Sequence, residues 1–349
     1  MPNQPIQWFP GHMAKTRKLM TENLKLVDVV LEILDARLPQ SSRNPLINEL
    51  VGEKPRVLVL AKADLAEEGH SKAWAAYFRK QGITALACDL KGPNAKMEMK
   101  AIVDGMRGQA AGIIARRQAR GINSRVVRAM VTGIPNSGKS TLINLVAGKA
   151  RTETGDRPGV TRGKQWIRLE QDLELLDMPG ILWPNLEDRE GARKLAVTGA
   201  IGENAYNPQE LALWLIRWLR ESRPGRLGGR YGVPESASEP EIADILEGWR
   251  EERDLAGMGG YPADMTGDAA GDITGAPGGE PGFFDGETDL LSLAILEAVG
   301  KRRGFLRKGG VVERDKTAVM LLDELRGGRL GRVTLDEPPG KGADAGEAG

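Results

Sequence analysis

The sequence lacks three features that would place a protein outside a reducing, aqueous compartment. It contains one cysteine, Cys88, which excludes an intrachain disulfide. Its first residues show no apolar run behind a basic start, so we expect no secretory signal. The most apolar helical stretch, Leu211–Leu219, is interrupted by Arg217 and is too short to span a bilayer. We therefore expect a soluble, cytoplasmic protein without a membrane partner.

Basic residues are also missing over one long stretch and concentrated in two others. No Lys or Arg occurs from 255 to 290, where glycines alternate with acidic residues, and we predict a disordered insertion over 256–287. Five arginines and no acid lie in 116–128, and seven basic residues against two acids lie in 301–316. A basic run is often only a solvated surface. Two runs in a chain of net charge +1 nevertheless favour a polyanionic partner.

Strand and helix patterns alternate through the first half of the chain. This alternation predicts an α/β fold with a mostly parallel sheet and helices on both faces. The expected strands are Val27–Leu34, Arg56–Leu60, Ile83–Cys88 and Arg128–Thr132, followed by a hairpin of Gln165–Leu169 and Leu173–Leu176. The expected helices are Ser71–Gln81 with Ser71 as N-cap, a long one to about Arg120, and Lys139–Ala147 with Gly148 ending it.

Helical patterns alone follow residue 187. They cover Glu187–Val197, Pro208–Arg220, Pro240–Arg253, Asp289–Val299 and Glu313–Arg326. The last of these places Ala318, Leu321, Leu322 and Leu325 on one face. We therefore predict an N-terminal segment (1–25), an α/β domain (26–200), a small helical domain (201–335) and a disordered tail (336–349).

A complete phosphate-binding loop runs from Gly133 to Ser140, with the sequence Gly-Ile-Pro-Asn-Ser-Gly-Lys-Ser. Backbone N–H groups at the start of a helix bind phosphate, a lysine adds a charge, and a serine hydroxyl can ligate Mg²⁺. A β-rich run precedes the loop and a helical run follows it, which is the context that such a loop requires. The residues expected to bind nucleotide phosphates are Asn136, Ser137, Gly138, Lys139, Ser140 and Thr141.

A second phosphate element follows the hairpin, at Asp177-Met-Pro-Gly180. Asp177 would hold Mg²⁺ through water, and the Gly180 N–H would meet the γ-phosphate. Thr161, in the segment Pro-Gly-Val-Thr-Arg-Gly, is the candidate for a second hydroxyl ligand of Mg²⁺. A simple Pro-Gly turn is the alternative interpretation of that segment.

The candidate for reading the base is Asp64, in Ala61-Lys62-Ala63-Asp64. A carboxylate can accept from the N1–H and the exocyclic amine of guanine, whereas adenine offers no such pair of donors. The usual motif begins with Asn, so Ala61 removes an amide and could lower guanine affinity. Cys88 and Asp89, after the next strand, would form the loop that flanks the base.

These motifs occur in the order base, phosphate loop, γ-phosphate sensor, which indicates a circularly permuted GTPase. A glutamine that orients the attacking water is missing after Gly180, where Ile181 and Leu182 stand. His12, in Trp-Phe-Pro-Gly-His-Met, is the candidate for that task, although a capping or packing histidine is the alternative. His70, in a polar stretch, is expected at the surface.

Together these residues resemble the RbgA/YlqF family of circularly permuted GTPases that act in assembly of the large ribosomal subunit. The segments that carry the resemblance are Trp8–Lys15, Asp35–Pro39, the phosphate loop, Asp177–Gly180 and Lys301–Gly310. The resemblance implies a GTPase domain followed by a helical, RNA-contacting domain, with His12 as the catalytic histidine. It also implies K⁺ at Asn136 in addition to Mg²⁺. Ala61 and the long insertion depart from the family pattern.

We thus expect a GTP- and GDP-binding assembly factor that associates with precursor large subunits and hydrolyses GTP slowly unless the particle stimulates it. The residues expected to contact ribosomal RNA are Lys301, Arg302, Arg303, Arg307 and Lys308. Two alternatives remain: a non-catalytic RNA-binding scaffold with a structural nucleotide, and a P-loop kinase of a small metabolite. The kinase is disfavoured because no acceptor-binding motif is evident and because Asp64 would have no role.

Overall fold

The computed structural model describes residues 10–150, 166–178, 180, 188–256 and 287–340. These residues form two compact units, one built from 10–195 and 332–340 and the other from 196–331. The expected insertion lies outside the described residues, except that Ala256 ends one helix and Glu287 begins the next.

The first unit is built on a sheet whose strand order is β3-β2-β1-β4-β6-β5 in the described part of the chain. The strands are β1 (Val29–Asp35), β2 (Arg56–Ala61), β3 (Thr84–Cys88), β4 (Val127–Gly133), β5 (Trp166–Glu170) and β6 (Leu173–Asp177). All neighbours pair in parallel except β5 and β6, which form the antiparallel pair predicted from the sequence. The expected mostly parallel sheet is confirmed.

Helices cover both faces of this sheet. They are α1 (Pro10–Leu24), α2 (Pro45–Val51), α3 (Glu68–Lys80), α4 (Ala95–Ala119) and α5 (Lys139–Ala150). A further helix, α6 (Arg189–Val197), leads from this unit into the second. Alternate residues of β1 point to opposite faces: Leu31 and Ile33 join the core with α4 and α5, and Val30 joins the core with α1 and α2. Leu34 packs with α3. The expected three-layer arrangement is therefore confirmed.

Two predicted helix ends differ from the structure. Ser71 is not the N-cap of α3, which begins at Glu68; the Ser71 N–H already donates within the helix, to the Glu67 carbonyl oxygen at 2.9 Å. The Glu67 N–H is bonded instead to the Thr334 hydroxyl at 3.0 Å, so a distant residue sets this helix start. Gly148 does not end α5, because one glycine costs a helix only about 1 kcal/mol.

The second unit consists of helices in the described part of the chain: α7 (Pro208–Ser222), α8 (Arg226–Tyr231), α9 (Pro240–Ala256), α10 (Glu287–Arg303) and α11 (Arg314–Arg326). Asn207 caps α7 by accepting from the N–H groups of Gln209 and Glu210. Helix α7 contacts both α10 and α11, and the predicted apolar face of α11 is buried. No helix among the described residues is long and apolar enough to cross a membrane.

The chain returns to the first unit after residue 331, which the sequence did not predict. We call residues 332–337 the C-terminal strap. Asp336 was expected to begin a disordered tail, but in the structure it is only 4% exposed. Residues up to 335 were expected in the helical domain, yet Leu335 donates its N–H to the Arg37 carbonyl oxygen at 2.6 Å. The strap is anchored because Val333 and Leu335 bury apolar side chains in the first unit.

Candidate nucleotide-binding site

The predicted site residues converge on the carboxyl edge of the parallel sheet. The segment 61–64 follows β2, residues 88–89 follow β3, the phosphate loop follows β4, and Asp177 ends β6. Between β1 and β4 the direction of strand order reverses, since β2 and β3 lie on one side and β6 on the other. Ligands bind at such a switch point in open α/β sheets.

The phosphate loop is folded into a cradle at the N-terminus of α5. Its backbone takes left-handed angles at Asn136 (φ 56°) and Gly138 (φ 115°). A Cβ built on Gly138 would lie 3.1 Å from the methyl group of Ala61, so glycine brings the loop against the end of β2. Ser137 closes the loop by donating its hydroxyl to the Ile134 carbonyl oxygen at 2.9 Å. The cradle is therefore formed by the protein alone.

Lys139 is the buried cation of this loop. Its ammonium group donates to the carbonyl oxygens of Gly133 at 3.2 Å and Ile134 at 2.9 Å. Burial lowers the pKa of Lys139 to about 8, and the charge of Asp177 offsets this only in part. Carbonyl dipoles cannot replace a full negative charge, so an anionic ligand would be strongly stabilised here.

Gly180 lies directly against the phosphate loop. A Cβ built on it would fall 2.9 Å from the Lys139 ammonium nitrogen and 3.0 Å from Pro135. Burial raises the pKa of Asp177, and Lys139 opposes that rise. The half-buried Asp177 carboxylate at the end of β6 and the hydroxyl of Ser140 in the first turn of α5 are oxygen donors of the kind that Mg²⁺ prefers. Thr161, the third expected ligand, lies outside the described residues.

The base-reading segment is held by backbone hydrogen bonds to neighbouring strands. The Ala63 N–H donates to the Cys88 carbonyl oxygen at 3.1 Å, and the Ala61 carbonyl oxygen accepts from the Ala36 N–H at 2.8 Å. Lys62 has a left-handed backbone (φ 59°), which turns the chain sharply after β2. Asp64 is exposed at this turn, and its pKa is raised by partial burial and by the charge of Asp89.

Cys88 and Asp89 form the neighbouring wall, as expected from their place after β3. Cys88 is buried, and burial raises the pKa of its thiol to about 12, so the thiol is not a reactive nucleophile at neutral pH. The Asp89 carboxylate accepts from the N–H groups of Lys91 and Gly92, both at 3.0 Å, which closes its own turn.

The sequence reasoning missed an ionic cluster beneath the base-reading segment. Asp35 accepts two hydrogen bonds from the Arg37 guanidinium, at 2.9 and 2.7 Å, and one from the Lys62 ammonium at 2.9 Å. Burial alone would raise the pKa of Asp35, but these two cations hold it well below its usual range. The signal was available, because Asp35 and Arg37 directly follow a strand beside the one that leads to Lys62.

Three further residues cannot be placed relative to the site. His12 belongs to α1, but its side chain lies outside the described residues. Ile181 and Leu182 also lie outside them. Asn136 and Ser140 are exposed and Thr141 is half-buried. His70, expected at the surface, is partly exposed and pairs with Glu337 at 3.0 Å.

The five residues expected to contact RNA divide into two groups in the second unit. Arg302 pairs with Glu241 at 2.8 Å, and Arg303 pairs with the buried Glu324 at 3.1 Å. Lys301, Arg307 and Lys308 are exposed, and their side chains have no ion-pair partner among the described residues.

Arg307 and Lys308 belong to a short hairpin. The Arg307 N–H donates to the Val311 carbonyl oxygen at 2.8 Å, and Leu306 pairs with Val312 in an isolated bridge. Leu306 and Val311 expose 44% and 55% of their surfaces on this hairpin, next to its cationic turn.

Comparison with known proteins places these features in one group of GTPases. A sequence family described as 50S ribosome-binding GTPase matches residues 128–224. A protein of Bacillus cereus described as ribosome biogenesis GTPase A is 41% identical over 333 residues, which cover 95% of this chain and 94% of that protein. A mitochondrial ribosome-associated GTPase 1 of Bos taurus is 34% identical over 252 residues, 69% of this chain and 73% of its own.

The fold has a likeness among solved structures. The crystal structure of GNP-bound YlqF from T. maritima aligns with a TM-score of 0.54 at 22% sequence identity. The alignment covers 93% of this chain and 98% of the YlqF chain. At this identity the likeness supports the fold alone, including the permuted order of the nucleotide motifs.

Proposed function

Because the chain belongs to the ribosome biogenesis GTPase A family, we propose that it is an assembly factor for the large ribosomal subunit whose binding to precursor particles is controlled by GTP. It is a P-loop GTPase of ribosome biogenesis. To this we add large-subunit specificity, direct contact with ribosomal RNA, and a cytoplasmic, particle-bound location. These additions are supported by the match of residues 128–224 to a family described as 50S ribosome-binding GTPase and by the exposed cations Lys301, Arg307 and Lys308 of the second unit. Nucleotide control is supported by the convergence of base-reading segment, phosphate loop and γ-phosphate sensor on one sheet edge.

GTP would lie across the β1–β4 switch point. Asp64 would accept from guanine between the walls formed by residues 61–64 and 88–89. The phosphates would bind the backbone N–H groups of residues 136–141 and the Lys139 ammonium group. Mg²⁺ would be held by Ser140, Asp177 and Thr161, and when bound it neutralises charge on the outer phosphates. K⁺ remains an expectation attached to Asn136.

Hydrolysis by the isolated protein would be slow. The residues that follow Gly180 are Ile181 and Leu182, whose apolar side chains cannot orient water. His12 would orient the attacking water instead when the protein is bound to the ribosomal particle. GTPases with incomplete sites turn over at roughly 10⁻⁴ per second, and a supplied group adds about 10³- to 10⁵-fold. Stimulation of turnover by large subunits would separate this function from a non-catalytic scaffold.

A change from GTP to GDP would be transmitted to the helical unit through the chain that follows Gly180. Gly180 touches the phosphate loop, and α6 begins nine residues later and leads into the second unit at residue 196. Loss of the γ-phosphate would release the Gly180 segment from the loop. We expect GTP to favour the particle-binding state and GDP to favour release.

The test is sedimentation of the full chain with precursor large subunits in the presence of a non-hydrolysable GTP analogue or of GDP. We expect co-sedimentation with the analogue and release with GDP, and equal binding in both states would contradict nucleotide control. Replacing Lys301, Arg307 and Lys308 together by glutamine should weaken binding and reduce its salt dependence by about one unit of slope per lost phosphate contact. The matched control replaces three exposed lysines of the first unit, Lys80, Lys96 and Lys100, by glutamine.

A further inference from the structure

The C-terminal strap contacts the segment that follows the base-reading residues. The Val333 N–H donates to the Leu65 carbonyl oxygen at 2.9 Å. Thr334 and Glu67 exchange two hydrogen bonds: the Thr334 hydroxyl accepts from the Glu67 N–H at 3.0 Å, and the Thr334 N–H donates to the Glu67 carboxylate at 3.3 Å. The turn that carries Asp64 is therefore fixed on its C-terminal side by residues about 270 positions away in the sequence.

The same strap holds the loop that follows β1. One oxygen of the Asp336 carboxylate accepts from the N–H groups of Gln40 at 2.9 Å and Ser41 at 2.7 Å, and the other accepts from the Ser41 hydroxyl at 2.7 Å. The Leu335 N–H donates to the Arg37 carbonyl oxygen. Arg37 and Lys62 both donate to the carboxylate of Asp35. This loop is therefore also connected to the base-reading segment through Asp35.

Asp336 also reaches the helix that follows the γ-phosphate sensor. Its carboxylate lies 3.2 Å from the ammonium group of Lys194 in α6. Its backbone oxygen accepts from the Trp74 indole N–H in α3 at 3.1 Å. Thr334 and Asp336 are 0% and 4% exposed, so their hydrogen bonds are shielded from solvent. Water therefore cannot readily replace a partner that is lost.

We propose that the C-terminal strap is a positioning element of the guanine site, which fixes the turn carrying Asp64 so that its carboxylate meets the base. This rests on the proposed assignment of residues 61–64 to guanine. Asp64 is a specificity-determining residue in that assignment, and Asp336 and Thr334 act through it. A displacement of about 1 Å is enough to break paired hydrogen bonds of this kind.

The test compares the affinities of the full chain for GDP and for inosine diphosphate, which lacks the exocyclic amine. Asp336→Asn removes the charge and half of the acceptor capacity at nearly constant volume. We expect GDP affinity to fall about tenfold and inosine diphosphate affinity to fall less, so that the preference for GDP shrinks; tenfold corresponds to about 1.4 kcal/mol. Glu49→Gln, a matched change at a 62% exposed carboxylate outside the strap, should leave the preference unchanged.

A purely structural role would lower the melting temperature without changing the ratio of the two affinities. An unchanged ratio in a folded Asp336→Asn protein therefore overturns the positioning role. Should that variant not fold, Thr334→Val decides by the same ratio, because it removes the hydroxyl that accepts from the Glu67 N–H at nearly equal size.

Asp64→Asn distinguishes a failure of the guanine assignment from a failure of the strap's positioning role. It should move preference from guanine toward xanthine nucleotides, because an amide can donate to the carbonyl that replaces the exocyclic amine. If Asp64→Asn keeps its preference for GDP, the base assignment itself is wrong. If Asp64→Asn shifts to xanthine while both strap variants keep the wild-type ratio, only the strap's role is wrong.

Discussion

The two sides of the nucleotide site differ in how their charges are balanced. On the base side, the buried Asp35 carboxylate has two cations, Arg37 and Lys62, within 3 Å. On the phosphate side, the buried Lys139 ammonium group has only carbonyl oxygens at hydrogen-bonding distance among the described residues, and the pKa of Asp177 is raised. The base side is thus neutralised by the protein, whereas the phosphate side carries an incompletely compensated cation.

This difference indicates which part of the nucleotide contributes affinity and which contributes selectivity. A balanced and buried ionic cluster fixes geometry, so we expect the proposed base side to select guanine with little rearrangement. An uncompensated buried cation is costly in the empty protein and becomes favourable when an anion arrives. Phosphate binding should therefore supply most of the affinity, and base binding most of the selectivity.

The largest effect is expected from removing one partner on the base side. Arg37→Ala removes one of the two cations bonded to the buried Asp35 and should lower the free energy of unfolding by about 3–5 kcal/mol. Urea denaturation followed by tryptophan fluorescence measures this. Arg17→Ala is the control, because Arg17 and Glu49 form an exposed pair, 54% and 62% accessible, worth less than about 1 kcal/mol. Equal losses in the two variants would remove the argument for a preorganised base side.

A smaller loss is expected where the two sides touch, at Gly138. Gly138→Ala places a methyl group 3.1 Å from that of Ala61 on a backbone at φ 115°. We expect a loss of about 1–3 kcal/mol in stability and a clear fall in GDP affinity.

The control for this change lies in helix α4. Gly108→Ala meets open space and should stabilise the protein by about 0.5–1 kcal/mol. Normal GDP binding by Gly138→Ala, measured by calorimetry, would contradict the close approach of the two loops.

The mildest test varies pH and probes the phosphate side alone. Lys139 has a pKa of about 8 in the empty protein, and bound phosphates should raise it. Binding then takes up a proton at and above pH 8, so GDP affinity should fall as pH rises, by up to about tenfold per unit. Calorimetry in buffers of different ionisation enthalpy measures that proton uptake.

Lys139→Arg provides the reference for the pH series. Its guanidinium group stays charged throughout, so any remaining pH dependence belongs to the nucleotide or to other groups. The same slope in both proteins would show that Lys139 does not titrate in this range.

Local patterns were sufficient to predict the architecture of the nucleotide edge. The apolar runs before Lys62, Asp89 and Gly133 predicted parallel strands, and the run before Asp177 predicted a strand of a hairpin. All four runs end at one edge of the sheet. The spacing of glycines in the phosphate loop depends only on near neighbours, and the structure has the predicted cradle.

Interactions between distant residues could not be predicted in the same way. The Thr334–Glu67 and Asp336–Gln40 bonds join residues 267 and 296 positions apart. The depressed pKa of Lys139 depends on burial by the folded loop, and the start of α3 depends on the strap. Val333-Thr-Leu335 does carry a β-like alternation, but a short segment beyond the last helix gives no indication of where it docks.

The Lys194–Asp336 pair brings together the two places where the chain leaves and re-enters the sheet-containing unit. An insertion whose ends meet can be gained or lost without rebuilding its host, since the host needs only a short bridge across the gap. The helical unit is therefore an inserted domain that can be exchanged for another. Related chains could carry different inserted domains at this junction while keeping the same nucleotide chemistry, and an engineered bridge from residue 195 to residue 332 would yield a minimal GTPase.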